Sequence, residues 1–175
     1  EMSTSDWSSD VCSSDLLARM KALCVSARRP DDMIIGADTV VDVDGVSFGK
    51  PRDREEALRM LTALNGRAHL VHTGVALASG GKVVGCEVET TKVFFGALSD
   101  ETLALFAATG DGDDKAGAYA IQGRGALLVK RIEGCYYNVV GLPLFLLAEM
   151  LRAQGWPISA GWMGSRVMVE DVRNG

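Results

Sequence analysis

Two long strand-like runs, His69 to Ala78 and Lys82 to Phe95, meet at Ser79-Gly80-Gly81 and limit the fold more than any other feature. Val71, Thr73, Val75 and Leu77 alternate along the first run, so one face of it belongs in a core. A second hairpin is written in Val40-Val41-Asp42-Val43, Asp44-Gly45 and Val46-Ser47-Phe48, because Asp-Gly between short apolar runs is a strong hairpin signal. Helical spacing surrounds these strands. Leu16, Leu17, Met20, Leu23 and Cys24 predict a helix from about Asp15 to Arg28, stopped before Pro30. Asp53 with Glu56 three residues on reads as a capping box, followed by the stripe Ala57, Leu58, Leu61, Leu64 and the stop Asn65-Gly66. Ser99 or Asp100 caps a helix to about Thr109, Gly110 to Asp114 is an acidic loop, and Ala126 to Ile132 is a further strand. Leu142-Pro143 opens a last helix whose apolar face is Leu144, Leu147, Ala148 and Leu151. Strands and helices mixed in this way predict an α/β or α+β domain with a mixed sheet.

The stretch Gly36-Ala37-Asp38-Thr39-Val40-Val41 follows Met33-Ile34-Ile35, an apolar run of the kind that fills a buried strand. The run ends on a carboxylate. Such a group is poorly hydrated and rigidly held, which suits a general base or a metal ligand. Capping of the next turn is the plainer role for a lone Asp, and both readings stand at this level.

Composition removes other classes of function. The 175 residues suit one domain or a compact two-lobed unit, and 47% hydrophobic with 23% charged residues is ordinary for a soluble protein. A net charge of −5 lacks the basic footprint of a nucleic-acid binder, though a local lysine cluster still suits a small anionic ligand. No apolar run is long enough to span a bilayer, so no membrane partner is expected. The N-terminus is acidic and Ser-rich, unlike a signal peptide. Cys12, Cys24, Cys86 and Cys135 are scattered, without CxxC or zinc spacing, which predicts reduced thiols in a cytoplasmic protein. Residues 1–15, with the repeated Ser-Ser-Asp, are too polar to bury a face and are expected to be non-native or disordered. Residues 156–175 are Gly-broken and expected to be loosely attached.

Several residues suit chemistry. Lys50, in Gly49-Lys50-Pro51, offers a point charge beside a glycine that admits close backbone approach, or is a solvated turn lysine. In Asp114-Lys115-Ala116-Gly117-Ala118-Tyr119-Ala120-Ile121-Gln122-Gly123, small residues suit a ligand lying against backbone. The Gln122 amide carries a donor and an acceptor, so it matches the N3–H and O4 edge of uracil or thymine, or is satisfied by its own loop. Tyr136-Tyr137-Asn138-Val139-Val140-Gly141-Leu142-Pro143 reads as structural, with Asn138 holding a loop. His69 and His72 point to opposite strand faces, which is poor metal geometry. Asp42 and Asp44 read as turn residues.

Together these stretches resemble the Maf (septum-formation-inhibitor-like) family of nucleoside triphosphate pyrophosphatases. The matching segments are Leu17-Ala18 with Lys21-Ala22, GADTVV at 36–41, GKP at 49–51, Leu64-Asn65-Gly66, HTGVAL at 72–77, DKAGAYAIQG at 114–123 and YYNVVGLPL at 136–144. They cover about residues 16–155, and DKAGAYAIQG resembles the subgroup that cleaves dTTP and UTP. The resemblance implies an elongated two-lobed α/β fold with a central cleft. It implies hydrolysis of the triphosphate to monophosphate and pyrophosphate with a divalent cation, Mg2+ or Mn2+. Asp38 would accept the proton of water and contact the metal. Thr39 and Gln122 would set base specificity, Lys50 would neutralise phosphate charge, and Lys21 and Lys115 would assist. The expected partner is a small-molecule nucleotide, without nucleic acid or membrane, and a homodimer is compatible.

The family opens with a strand and a Ser-x-Ser-Pro-Arg-Arg loop that this sequence lacks; Ser26-Ala27-Arg28-Arg29 stands in the wrong place in the order. The chain is therefore expected to be a truncated copy, short one central strand and impaired in triphosphate binding. Two other functions stay open at this level: pyrophosphatase action on modified nucleotides, and non-catalytic nucleotide binding linked to cell division.

Overall fold

The computed structural model describes residues 9–156, with side chains from Ser14 onward. Its centre is the long hairpin, β3 (Ala68–Ser79) and β4 (Lys82–Phe95), preceded by β1 (Ile34–Val43) and β2 (Val46–Phe48) and followed by β5 (Val129–Glu133). The strand order is β2-β1-β3-β4-β5. The α/β class expected from the sequence is thus present, and every pairing among these strands is antiparallel rather than mixed. The β1–β2 turn has Asp44 at φ 54° and Gly45 at φ 81°, the primed geometry that Asp-Gly favours. Asp42 accepts the Gly45 N–H at 2.8 Å, so Asp42 and Asp44 are turn residues as expected.

Helices cover both faces. Val71, Thr73, Val75 and Leu77 are all buried on one face, as the alternation predicts. There α2 (Arg54–Leu64) and α3 (Asp100–Thr109) enclose a core of Leu61, Leu64, Val71, Val93, Leu103 and Phe106. At the other end of that face α5 (Leu144–Ala153) sets Leu147 and Met150 on Val75 and Leu77. Asp53 caps α2 by accepting the Glu56 N–H at 2.8 Å. Glu56 does not return to Asp53 as a capping box would; its carboxylate accepts the Arg52 N–H at 2.7 Å and pairs with the Arg52 guanidinium.

The opposite face carries α1 (Ser9–Ser26). Here the structure corrects the sequence reading twice. The helix begins before Asp15, and its buried stripe is Ser14, Ala18, Ala22 and Ser26 rather than Leu16, Leu17 and Met20, which are 55%, 41% and 57% exposed. The sheet beneath explains the choice. A Cβ on Gly36 would lie 2.3 Å from the Ala18 carbonyl oxygen, and one on Gly74 would lie 2.6 Å from that of Ser14. Glycines below and small residues above let helix and sheet backbones approach closely. The expectation for residues 156–175 lies outside the described residues beyond Trp156.

The fifth strand starts at Val129, three residues later than the sequence suggests, because Gly123–Leu127 winds into a 3-10 turn. The Asn138 segment is a short helix, α4 (Tyr136–Val140), and not a loop.

Candidate active site

β2 pairs with β1 only at Val41–Val43. The outer edge of residues 34–40 therefore has no strand neighbour among the described residues. A cavity of about 240 Å³ lies along this edge, and Ala37, Asp38 and Thr39 all line it. Successive strand residues point to opposite faces, so the cavity wraps around the rim of the sheet. A ligand there meets Asp38 on the α1 side and Thr39 on the α4 side.

Lys21, Asp38, Thr39, Lys50, Lys115 and Gln122, the six candidates named from the sequence, all border this one cavity. Each arrives by a separate local cause. The close seat of α1 brings Lys21 Nζ to 2.7 Å from Asp38 Oδ1 and 3.4 Å from the Ala37 carbonyl oxygen. Asp38 keeps a side-chain exposure of 15%, enough to reach a ligand while remaining held by its partner. Lys50 and Lys115 are brought together by a backbone bond, since the Gly117 N–H donates to the Gly49 carbonyl at 3.0 Å. Gly117 takes φ 70°, and a Cβ there would press within 3.1 Å of Val41. Both facts require glycine at the centre of the DKAGAYAIQG stretch.

Charge is concentrated at the mouth. Lys115 Nζ donates to Asp114 Oδ1 at 2.6 Å. That bond, followed by smaller contributions that include the Lys50 charge, holds the Asp114 carboxyl below its ordinary range. Gln122 is exposed, and no hydrogen bond among the described residues orients its amide.

Sequence reasoning missed the inner wall: Tyr119, Val139, Val140 and Gly141. The Tyr119 hydroxyl lies 2.7 Å from His69 Nε2, and the two rings with Phe95 form an edge-to-face cluster. Burial pushes the Tyr119 phenol up and the His69 imidazole down to about 4. His69 and His72 are both buried and make separate contacts, to Tyr119 and to Thr90, in keeping with their opposite faces. No group of three His, Cys, Asp or Glu side chains able to hold a metal occurs among the described residues.

An α/β sheet with one carboxylate on an open strand rim, ringed by three lysines, defines a class of protein built to take a small anionic ligand. The chain belongs to the Maf family: the model described as "Maf-like protein" matches residues 6–154. Among its relatives is a protein of Symbiobacterium thermophilum named dTTP/UTP pyrophosphatase, 51% identical over 148 residues, 85% of this chain and 76% of that one. A protein of the same name from Carboxydothermus hydrogenoformans is 51% identical over 141 residues, covering 80% of this chain and 76% of the relative. One from Pyrococcus furiosus is 46% identical over 137 residues, covering 78% and 71%.

Proposed function

We infer that this protein is a nucleoside triphosphate pyrophosphatase that hydrolyses dTTP and UTP to the monophosphate and pyrophosphate. The observation that carries the reading is the meeting of Asp38, held by Lys21 at 2.7 Å, with Lys50, Lys115 and Gln122 around one cavity. The relatives' shared name supports the substrate pair.

The chemistry follows from the placement. Asp38 accepts a proton from a water molecule whose oxygen attacks the α-phosphorus. The bond from that phosphorus to the bridging oxygen breaks, and pyrophosphate leaves with the bonding pair. Lys50 and Lys115 hold the charge that grows on the leaving group, and preorganised charges of this kind are effective because they need not reorient. Thr39 and Gln122 read the base. Lys21 orients the Asp38 carboxylate.

The carboxylates suit a hard divalent cation, magnesium or manganese, of the sort that binds through one or two carboxylates plus substrate phosphates. Asp38 and Asp114 border the cavity and would hold it. Bound there, such a cation supplies further charge neutralisation at the phosphates.

The same proposal assigns the activity to a domain of residues 16–155 and places it in the cytoplasm. No described helix is long and apolar enough to cross a membrane, and Cys24, Cys86 and Cys135 are unbridged, which supports that setting. A homodimer is the assembly to look for, since Phe145 and Leu144 of α5 are 78% and 43% exposed, and sedimentation velocity decides it.

The decisive experiment is pyrophosphate release from dTTP, UTP, CTP and GTP with magnesium or manganese. It is run on this chain and on a version preceded by a Ser-x-Ser-Pro-Arg-Arg segment. Release from dTTP and UTP above the other two is expected. Tight nucleotide binding by both proteins without release from either would overturn the reading in favour of a binding protein.

A further inference from the structure

Behind Thr39 lies a chain of buried hydrogen bonds whose directions are all determined. Thr73 Oγ1 lies 3.0 Å from the main-chain carbonyl oxygen of Asn138, which only accepts whatever the side-chain amide does, so Thr73 donates its single proton there. Thr73 Oγ1 also lies 2.9 Å from Thr39 Oγ1. With the Thr73 proton already committed, Thr39 must be the donor in that contact. The Thr39 hydroxyl then has no proton left and presents only lone pairs to the cavity it lines.

Asn138 locks the arrangement. Its Nδ2 donates to the Val71 carbonyl at 3.0 Å and to Thr91 Oγ1 at 2.8 Å, tying β3 to β4. Thr91 in turn donates to the Cys135 carbonyl and accepts the Cys135 N–H, both at 3.0 Å. Thr73, Thr91 and Asn138 are each fully buried, so no water competes for these bonds. The Val71 carbonyl fixes which end of the amide is nitrogen, because the reversed amide would set two acceptors against each other.

The contrast with Gln122 gives this its consequence. An exposed amide that nothing orients rotates to match either pyrimidine, offering N–H to a carbonyl or C=O to an amine. Gln122 alone therefore does not separate uracil from cytosine. A hydroxyl of fixed polarity does. Uracil and thymine present N3–H, a donor; cytosine presents a bare N3, an acceptor. Resting on the pyrophosphatase reading above, we propose that Thr73 and Asn138 are positioning residues that hold Thr39 as an acceptor. That polarity selects pyrimidines bearing N3–H over cytosine. A mismatched polar pair in a shielded site is rejected more strongly than a missing methyl group.

The test measures dissociation constants for α,β-methylene analogues of UTP and CTP, which do not turn over, and for the N3-methyl derivative of the UTP analogue. The native chain should prefer the UTP analogue by roughly tenfold or more, and should bind the N3-methyl derivative no better than the CTP analogue. Thr73→Val, which keeps the shape but frees the Thr39 proton, should bring the preference to within about twofold; Thr73→Ser should retain it. An unchanged preference in Thr73→Val, or N3-methyl binding equal to that of UTP, overturns the proposal. If Thr73→Val does not fold, Thr73→Ala, which also frees the Thr39 proton, takes its place: the preference should again fall to within about twofold, and an unchanged preference overturns the proposal. Base preference without pyrophosphate release would sink the pyrophosphatase reading and leave the relay. Release without base preference would do the reverse, and a chain that binds neither analogue loses both.

Discussion

Lys21 Nζ stands 2.7 Å from Asp38 Oδ1, across the seam where α1 lies on the sheet. The lysine is half exposed and the carboxylate largely covered, and both line the cavity. Asp38→Asn keeps the volume and removes the carboxylate proposed to accept the proton of water. Pyrophosphate release from dTTP should fall by roughly 10²–10⁴-fold, with nucleotide affinity changed far less. Isothermal titration beside a release assay separates the two effects; equal loss in both would mean that Asp38 binds substrate and does not activate water.

Lys50 and Lys115 border the same cavity from loops joined by the Gly117–Gly49 backbone bond. Lys50 has no ion-pair partner among the described residues, whereas Lys115 is engaged with Asp114. Lys50→Met should raise KM more than Lys115→Met, and kcat/KM of the native chain should fall with added salt because the contacts are exposed. A salt-independent kcat/KM would remove the phosphate-holding role of both.

Gly74 seats α1 at Ser14 and Asp15, in the helix that also carries Lys21. Gly74→Ala would place a methyl carbon 2.6 Å from the Ser14 carbonyl oxygen, a contact that backbone must move to relieve. We expect a loss of about 1–3 kcal/mol in urea unfolding. Activity should fall further than stability explains, because α1 carries Lys21 away from Asp38. Full activity in a destabilised Gly74→Ala protein would separate the helix seat from the site.

His69 titrates at about 4 in the folded chain because burial opposes its charged form. The unfolded imidazole titrates near 6.5, so below that pH the unfolded state binds the extra proton. The corresponding stability is complete above about pH 6.5 and is lost progressively as pH falls toward 4, by about 3 kcal/mol in all. Thermal melts from pH 7 to pH 4 should show this decline, and His69→Gln, which does not titrate, should flatten it. An equally steep decline in the variant would assign the acid sensitivity to other groups.

Much of the site was legible in the chain because its parts are local. Gly-Ala-Asp-Thr, Gly-Lys-Pro and the small-residue stretch ending in Gln122 each carry their chemistry within a few residues, and the structure brings all of them to one cavity. The long hairpin and the Asp-Gly turn were equally readable, since alternation and turn residues act at short range. The buried face of α1 was not. Leu16, Leu17 and Met20 point to solvent and the small residues inward, because the glycines that dictate this lie on strands many residues away.

What the sequence determined by itself is the set of elements and the chemical groups they bear, for propensity, turn geometry and side-chain type belong to neighbours in the chain. What tertiary structure alone decided is direction: which partner holds Asp38, which way the Thr39 proton points, which face of α1 is covered. Thr39 meets Thr73 across 34 positions, and Thr73 meets Asn138 across 65. A hydroxyl has one proton to give, and no local pattern records which distant acceptor receives it.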